Sequence, residues 1–176
     1  MSAALERSTA SVSTSGDDAR PAGWARLFAP TAIAPLVYFR LAFGLIMLWE
    51  IWRYFDHGWI ARYYVEPTYF FGYAGFEWLK PLPGFWMVVF FCILALLALF
   101  VMAGLFYRWS AALFFLGFTY WFLLDQTHYL NHFYLISLIS FLMIFVPAHR
   151  ALSLDGLRRP GLQASAVPAW TIGLLR

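Results

Sequence analysis

FWMVVFFCILALLALFVMAGLFY, residues Phe85 to Tyr107, runs for 23 residues without a charged side chain. A helix rises 1.5 Å per residue, so about 20 apolar residues cross a hydrocarbon core of roughly 30 Å. This stretch therefore reads as a transmembrane helix, and it sets the reading of everything around it. The rest of the chain agrees in composition. Hydrophobic residues make up 62% and charged residues 12% of the 176 positions, where about 25% charge is ordinary. A soluble domain of this size has nowhere to hide so much apolar surface, but a bilayer can take it.

Working outward from Phe85–Tyr107, Arg108 marks a tight turn. A third apolar run, Trp109 to Leu124, continues to Asp125. A fourth begins near Tyr129 and stops at Val146, before Pro147. On the N-terminal side, a first span runs from about Ala34 to Tyr54. It carries Arg40 and Glu50, and Trp49 and Trp52 near its far end suit a membrane interface. The loop from about Phe55 to Gly84 is rich in aromatics and is expected to lie on the membrane surface or fold back over the helices. The fold class is thus an all-α integral membrane protein with about four transmembrane helices and an aromatic-rich loop between the first and second.

Residues 1–30 are expected to be a disordered cytoplasmic tail. The first 23 are rich in Ser, Thr and Ala and contain no apolar signal-peptide core. The transmembrane domain is taken as residues 31–176. The chain closes on TIGLLR, which reads as the start of a further apolar segment, so this domain is expected to be incomplete at its C-terminus. Arginine and lysine counts set orientation. With four spans, one side holds Arg7, Arg20, Arg26, Arg108, Arg150, Arg158, Arg159 and Arg176, and the other Arg53, Arg62 and Lys80. The first side, with the N-terminus, is expected to be cytoplasmic. Scattered arginines and a net charge of +3 give no nucleic-acid footprint. Cys92 is the single cysteine and lies in an apolar run, where a small buried hydrophobe is expected.

The third and fourth spans are joined by LLDQTHYLNHFYL, Leu123 to Leu135. It gathers Asp125, Gln126, Thr127, His128, Asn131 and His132 between two apolar runs. In a helix, Asp125, His128 and His132 share one face. Three readings follow. Two histidines and a carboxylate can ligate iron, but membrane enzymes of that kind use many more histidines than His57, His128, His132 and His149, so no metal is expected. Asp125 and Asn131 can cap helix ends at a turn, which leaves the histidines and Gln126 unexplained. Ionisable groups at membrane depth otherwise mark sites of proton chemistry. Glu50 pairs with Arg53 one turn on, or walls the cluster's cavity. Arg40 is expected to snorkel to headgroups.

Four segments carry a resemblance to a known family: FEWLKPLPG (Phe76–Gly84), GLFYRWSAALFFLGFTYWFLLDQTHYLNHFYL (Gly104–Leu135), SLDGL (Ser153–Leu157) and VPAW (Val167–Trp170). The chain from about Pro35 onward resembles the vitamin K-dependent gamma-carboxylase family. More broadly, it resembles the horizontally transferred transmembrane (HTTM) domain that this carboxylase shares with bacterial proteins. The Leu-Asp-Xaa-Thr piece, ending at Thr127, and the Asn-His-Xaa-Tyr-Leu piece, with Tyr134 and Leu135 at its end, are the most specific part. The resemblance implies a multi-pass protein of a bacterial inner membrane, with reduced vitamin K or a related quinone as cofactor. It also implies an enzyme that epoxidises the quinone and adds carbon dioxide to glutamate side chains. A lysine in the Leu-Asp-Lys-Thr motif is thought to be the base that starts the reaction. Here that position is Gln126, whose amide cannot take a proton.

Three functions are therefore carried forward. One is a carboxylase-like membrane protein that binds a quinone or lipid near Asp125–His132, with glutamate carboxylation lost or altered. Another is an active carboxylase-like enzyme with His128 or His132 as base. The third is a non-catalytic membrane interaction module whose protein partner the sequence does not name.

Overall fold

A computed structural model of the chain describes residues 27–67, 69–124, 126, 131–159, 161 and 164–174. Four helices form the body. Helix α1 is Ala34–Asp56, α2 is Phe85–Ala103, α3 is Tyr107–Leu123 and α4 is Asn131–Phe145. Successive helices pack side by side, α1 on α2, α2 on α3 and α3 on α4. Two short helices follow, α5 (Leu154–Arg158) and α6 (Ala169–Gly173), and Ala61–Val65 forms a π-helical turn.

Local chemistry sets the ends of these helices. Pro35 sits in the first turn of α1, where its missing N–H costs nothing. Gly104 ends α2 in the left-handed conformation at φ 66°, as glycine at a helix C-terminus commonly does. Phe106, at φ 45°, then launches α3. The turn expected at Arg108 therefore lies at Gly104–Phe106, and Arg108 is already in the first turn of α3. Pro147 follows α4 and cannot continue it.

Burial follows helical spacing. On α1 the buried side is Leu36, Val37, Arg40, Phe43, Gly44, Met47, Ile51 and Tyr54. A Cβ at Gly44 would lie 2.5 Å from Met102 Cβ, so this glycine is what lets α1 approach α2 so closely. The opposite sides are not polar. Leu45, Ile46, Trp49 and Trp52 on α1, and Trp86, Ile93 and Leu96 on α2, are all exposed. Helices apolar on every side are those of a membrane span or of the core of a larger assembly. Cys92 is among the exposed residues of α2, not the buried ones. The expectation of a buried thiol fails because an apolar run says nothing about which face of the helix meets lipid.

Two helices, α1 with 23 residues and α2 with 19, are long and apolar enough to cross a membrane. Helix α3 has 17 residues and α4 has 15, about 26 and 22 Å at 1.5 Å per residue.

A feature with no sequence forecast ties the two ends of the domain together. Strands β1 (Pro30–Ala32) and β2 (Ala166–Pro168) pair antiparallel, with Thr31 opposite Val167. Prolines at the edge positions Pro30 and Pro168 fit so short a ribbon.

Candidate functional site

The aromatic-rich loop folds back onto the ends of the helices. Tyr64, from the π-helical turn, is buried, and its hydroxyl accepts a hydrogen bond from Trp121 Nε1 of α3 at 2.7 Å. Around this bond lies an aromatic block. Trp121 meets Tyr54 edge-on with centroids 4.7 Å apart, Phe91 at 4.9 Å and Phe133 at 5.1 Å. All four helices thereby contribute a ring to one cluster. The Tyr120 hydroxyl donates to the Lys80 carbonyl at 2.7 Å. The Tyr73 ring lies against Phe122 with centroids 5.5 Å apart.

Of the polar residues singled out by sequence, Gln126 has the most informative position. Its side chain is exposed, and its backbone N–H donates to the Phe71 carbonyl at 2.9 Å. This bond anchors the α3–α4 junction to the loop. Phe71 lines a cleft of about 530 Å³ with Tyr69, Phe70, Glu77, Leu79 and Lys80. Rings and aliphatic side chains share its lining about equally with polar groups, among them one carboxylate and one amine. The Gly75 N–H donates to Glu77 Oε1 at 3.1 Å. Backbone hydrogen bonds, from Glu77 itself and then Gly75, hold the Glu77 carboxyl below its usual range.

Asn131 and His132 are exposed at the start of α4, and the His132 ring meets Phe133 edge-on. Tyr134 is exposed, with its ring 6.4 Å from that of Phe122. Asp125, Thr127 and His128 lie outside the described residues, as does the shared face expected for Asp125, His128 and His132. Among the described residues, no group of three His, Cys, Asp or Glu could hold a metal ion. Glu50 makes its expected pair with Arg53 at 2.8 Å, and the Arg53 guanidinium lies 5.2 Å from the centre of the Trp59 ring.

Arg40 does not snorkel. It is fully buried at the other end of the bundle. Nη1 donates to the Ala148 carbonyl at 2.8 Å, and Nη2 donates to the Leu152 carbonyl. Two of the guanidinium nitrogens find backbone acceptors within the protein, which holds the side chain inward, and Nε is buried without a hydrogen-bond partner among the described residues.

The SLDGL segment closes this second polar centre. Ser153 Oγ accepts from Gly156 N–H and caps α5. The Asp155 N–H donates to the Gly104 carbonyl at 3.1 Å. The two Asp155 carboxylate oxygens accept from the backbone N–H groups of Phe106 and Tyr107, at 2.9 and 3.0 Å. Asp155 thus caps a helix that begins 48 residues earlier. Tyr107 completes the centre. Its hydroxyl donates to the Met143 carbonyl at 2.9 Å, and its ring stacks on His149. Sequence reading missed this role for Asp155 and Ser153. A short Ser-Leu-Asp-Gly piece is a helix-start signal, but nothing in it says which distant helix the aspartate serves.

No solved structure significantly matches the chain. A family model described as the HTTM domain matches residues 28–176, and those bounds take in the β1–β2 ribbon, the four-helix body and the Arg40–Asp155 centre. The chain belongs to the HTTM domain family.

Proposed function

We propose that this chain is a four-span membrane protein whose α3–α4 junction binds a quinone or a similar flat, apolar lipid. The observation that carries this reading is the Gln126–Phe71 hydrogen bond. It sets a polar junction beside a cleft where the rings of Tyr69, Phe70 and Phe71 meet the charged groups of Glu77 and Lys80. Rings can hold the flat face of such a ligand while polar groups meet its oxygens. Four spans are supported by the outward faces of α3 and α4, where Leu113, Leu116, Leu138, Phe141 and Phe145 are exposed. The arginine distribution favours a cytoplasmic N-terminus, and the resemblance to bacterial family members favours a bacterial inner membrane.

Glutamate carboxylation in the native chain is opposed by Gln126. A base at this position must accept a proton from the hydroquinone, and a carboxamide has no basic nitrogen to do so. His132 is the described histidine nearest in sequence, and it opens α4 with its side chain exposed.

Membranes carrying the chain test the reading when supplied with reduced vitamin K, a glutamate peptide and labelled carbon dioxide. Quinone extracted from the purified protein is measured in parallel. Bound quinone, with epoxide and fixed label only in Gln126→Lys, is the expected result. Turnover in the native protein that is lost in His128→Ala or His132→Ala would assign the base to histidine. Folded protein without quinone and silent in both forms would leave a non-catalytic membrane module.

A further inference from the structure

At the start of α3, three arginines surround a cleft of about 470 Å³: Arg108 from the helix itself, and Arg158 and Arg159 from the end of α5. Asp155 is the one carboxylate among the described residues that line it, and both of its oxygens are committed to the N–H groups of Phe106 and Tyr107. Among the described residues, salt bridges join Arg53 to Glu50 and His57 to Asp56; none joins Arg108, Arg158 or Arg159 to an acid. Three exposed arginines thus line a cavity whose own acid is already engaged.

The surroundings of this cleft suit a membrane surface. It lies at the end of α2, a helix long enough to span a bilayer. Phe106 and Trp109 also line it, 57% and 75% exposed, and the Arg158 guanidinium lies 5.3 Å from the centre of the Phe106 ring. Exposed aromatics beside arginines are the arrangement found where a protein crosses the headgroup layer. Arginine is suited to phosphate, because its planar fork can donate two hydrogen bonds at once. The helix N-terminus adds nothing for an incoming anion, since Asp155 already occupies it.

We propose that this cleft is a binding site for the phosphate headgroup of an anionic membrane lipid. The site lies at the opposite end of the bundle from the quinone cleft and is independent of it. The proposal rests on the chain being embedded in a membrane, so membrane fractionation is read first and separately.

The test is native mass spectrometry of the full chain in detergent, titrated with phosphatidylglycerol and, in parallel, phosphatidylcholine. Retention of phosphatidylglycerol over phosphatidylcholine is expected. It should fall about fivefold for each of Arg108→Gln, Arg158→Gln and Arg159→Gln, since a basic residue at an anionic surface contributes about 1 kcal/mol. Arg62→Gln, away from the cleft, should change nothing. The three arginines are exposed, so single variants should fold, and a melting curve in the same detergent confirms it. Equal retention of the two lipids, or full phosphatidylglycerol retention in folded Arg108→Gln, Arg158→Gln and Arg159→Gln proteins, would overturn the proposal. So would displacement of the lipid by millimolar inorganic phosphate, which would assign the site to a soluble anion.

Discussion

Arg40 on α1 donates through Nη1 to the carbonyl oxygen of Ala148 at 2.8 Å, across 108 residues of sequence. A fully buried cation is costly unless its donors are met. Here the backbone carbonyls of Ala148 and Leu152 meet Nη1 and Nη2, while Nε is buried without a hydrogen-bond partner among the described residues. The cation in turn fixes the segment that carries Ser153 and Asp155. Replacing Arg40 by Ala leaves both carbonyls without that partner and opens a void. The expected loss is about 3 kcal/mol or more, with Arg40→Lys recovering part of it. Denaturant unfolding in a fixed detergent reads this. An Arg40→Ala protein as stable as the parent would mean that the clasp does not hold the fold.

Asp155 makes the second half of the same clasp. Its carboxylate is the side-chain acceptor for the first N–H groups of α3. Asp155→Ala should cost about 1–2 kcal/mol through loss of the cap. The damage should also be local. Limited proteolysis is expected to open the Gly104–Tyr107 turn before any other described loop. Cleavage that begins instead in the loop of residues 57–84 would show that Asp155 does not hold this corner.

How much of this was legible in the sequence depends on the distance between partners. The helices were legible because apolar runs and their stops, such as Pro147 after α4, are local signals. So was the Glu50–Arg53 pair, at i and i+3. Arg40 was misread because hydropathy reports that a charge lies in a span, but not that carbonyls 108 and 112 residues away are waiting for it. The β1–β2 ribbon was invisible for the same reason. At the candidate site, the polarity of the junction could be read directly from Gln126, Asn131 and His132. Its contact with Phe71 and its cleft needed the loop's path, which composition does not encode.

Gly104 and Leu152 give a paired prediction of opposite sign. Gly104 sits at φ 66°, and a Cβ there would lie 2.5 Å from Ser153 Cβ and 2.7 Å from Arg40 Nη1. Gly104→Ala therefore strains the backbone and pushes directly on the clasp, and should cost about 2–3 kcal/mol. Leu152 holds a similar backbone conformation, at φ 46°, with its side chain 79% exposed. Leu152→Gly removes the Cβ penalty and little packing, so it should be neutral or stabilising by about 1 kcal/mol. Melting temperatures of the two variants, measured side by side, check both. A destabilised Leu152→Gly would show that the leucine side chain contributes contacts that outweigh its strained backbone.

His149 gives the clasp a pH dependence. Burial lowers its pKa below 6.5, Arg108, Arg150 and Arg40 push the same way, and Asp155 opposes them. Its Nδ1 is buried and has no hydrogen-bond partner among the described residues, and its ring stacks on Tyr107 with centroids 5.2 Å apart. The folded protein thus prefers neutral histidine. In the unfolded chain the group titrates near its ordinary value of about 6.5. Above that pH both states hold it neutral and it contributes no pH dependence. As pH falls below 6.5 the unfolded chain takes up the proton more readily, so stability declines, and the decline levels off below the folded pKa. The difference in melting temperature between the parent and His149→Gln, measured from pH 8 to pH 5, isolates this contribution. The parent should lose more stability than the variant across the acid half of that range. Parallel curves would mean that the His149 ring can take up a proton in the folded state as easily as in the unfolded one.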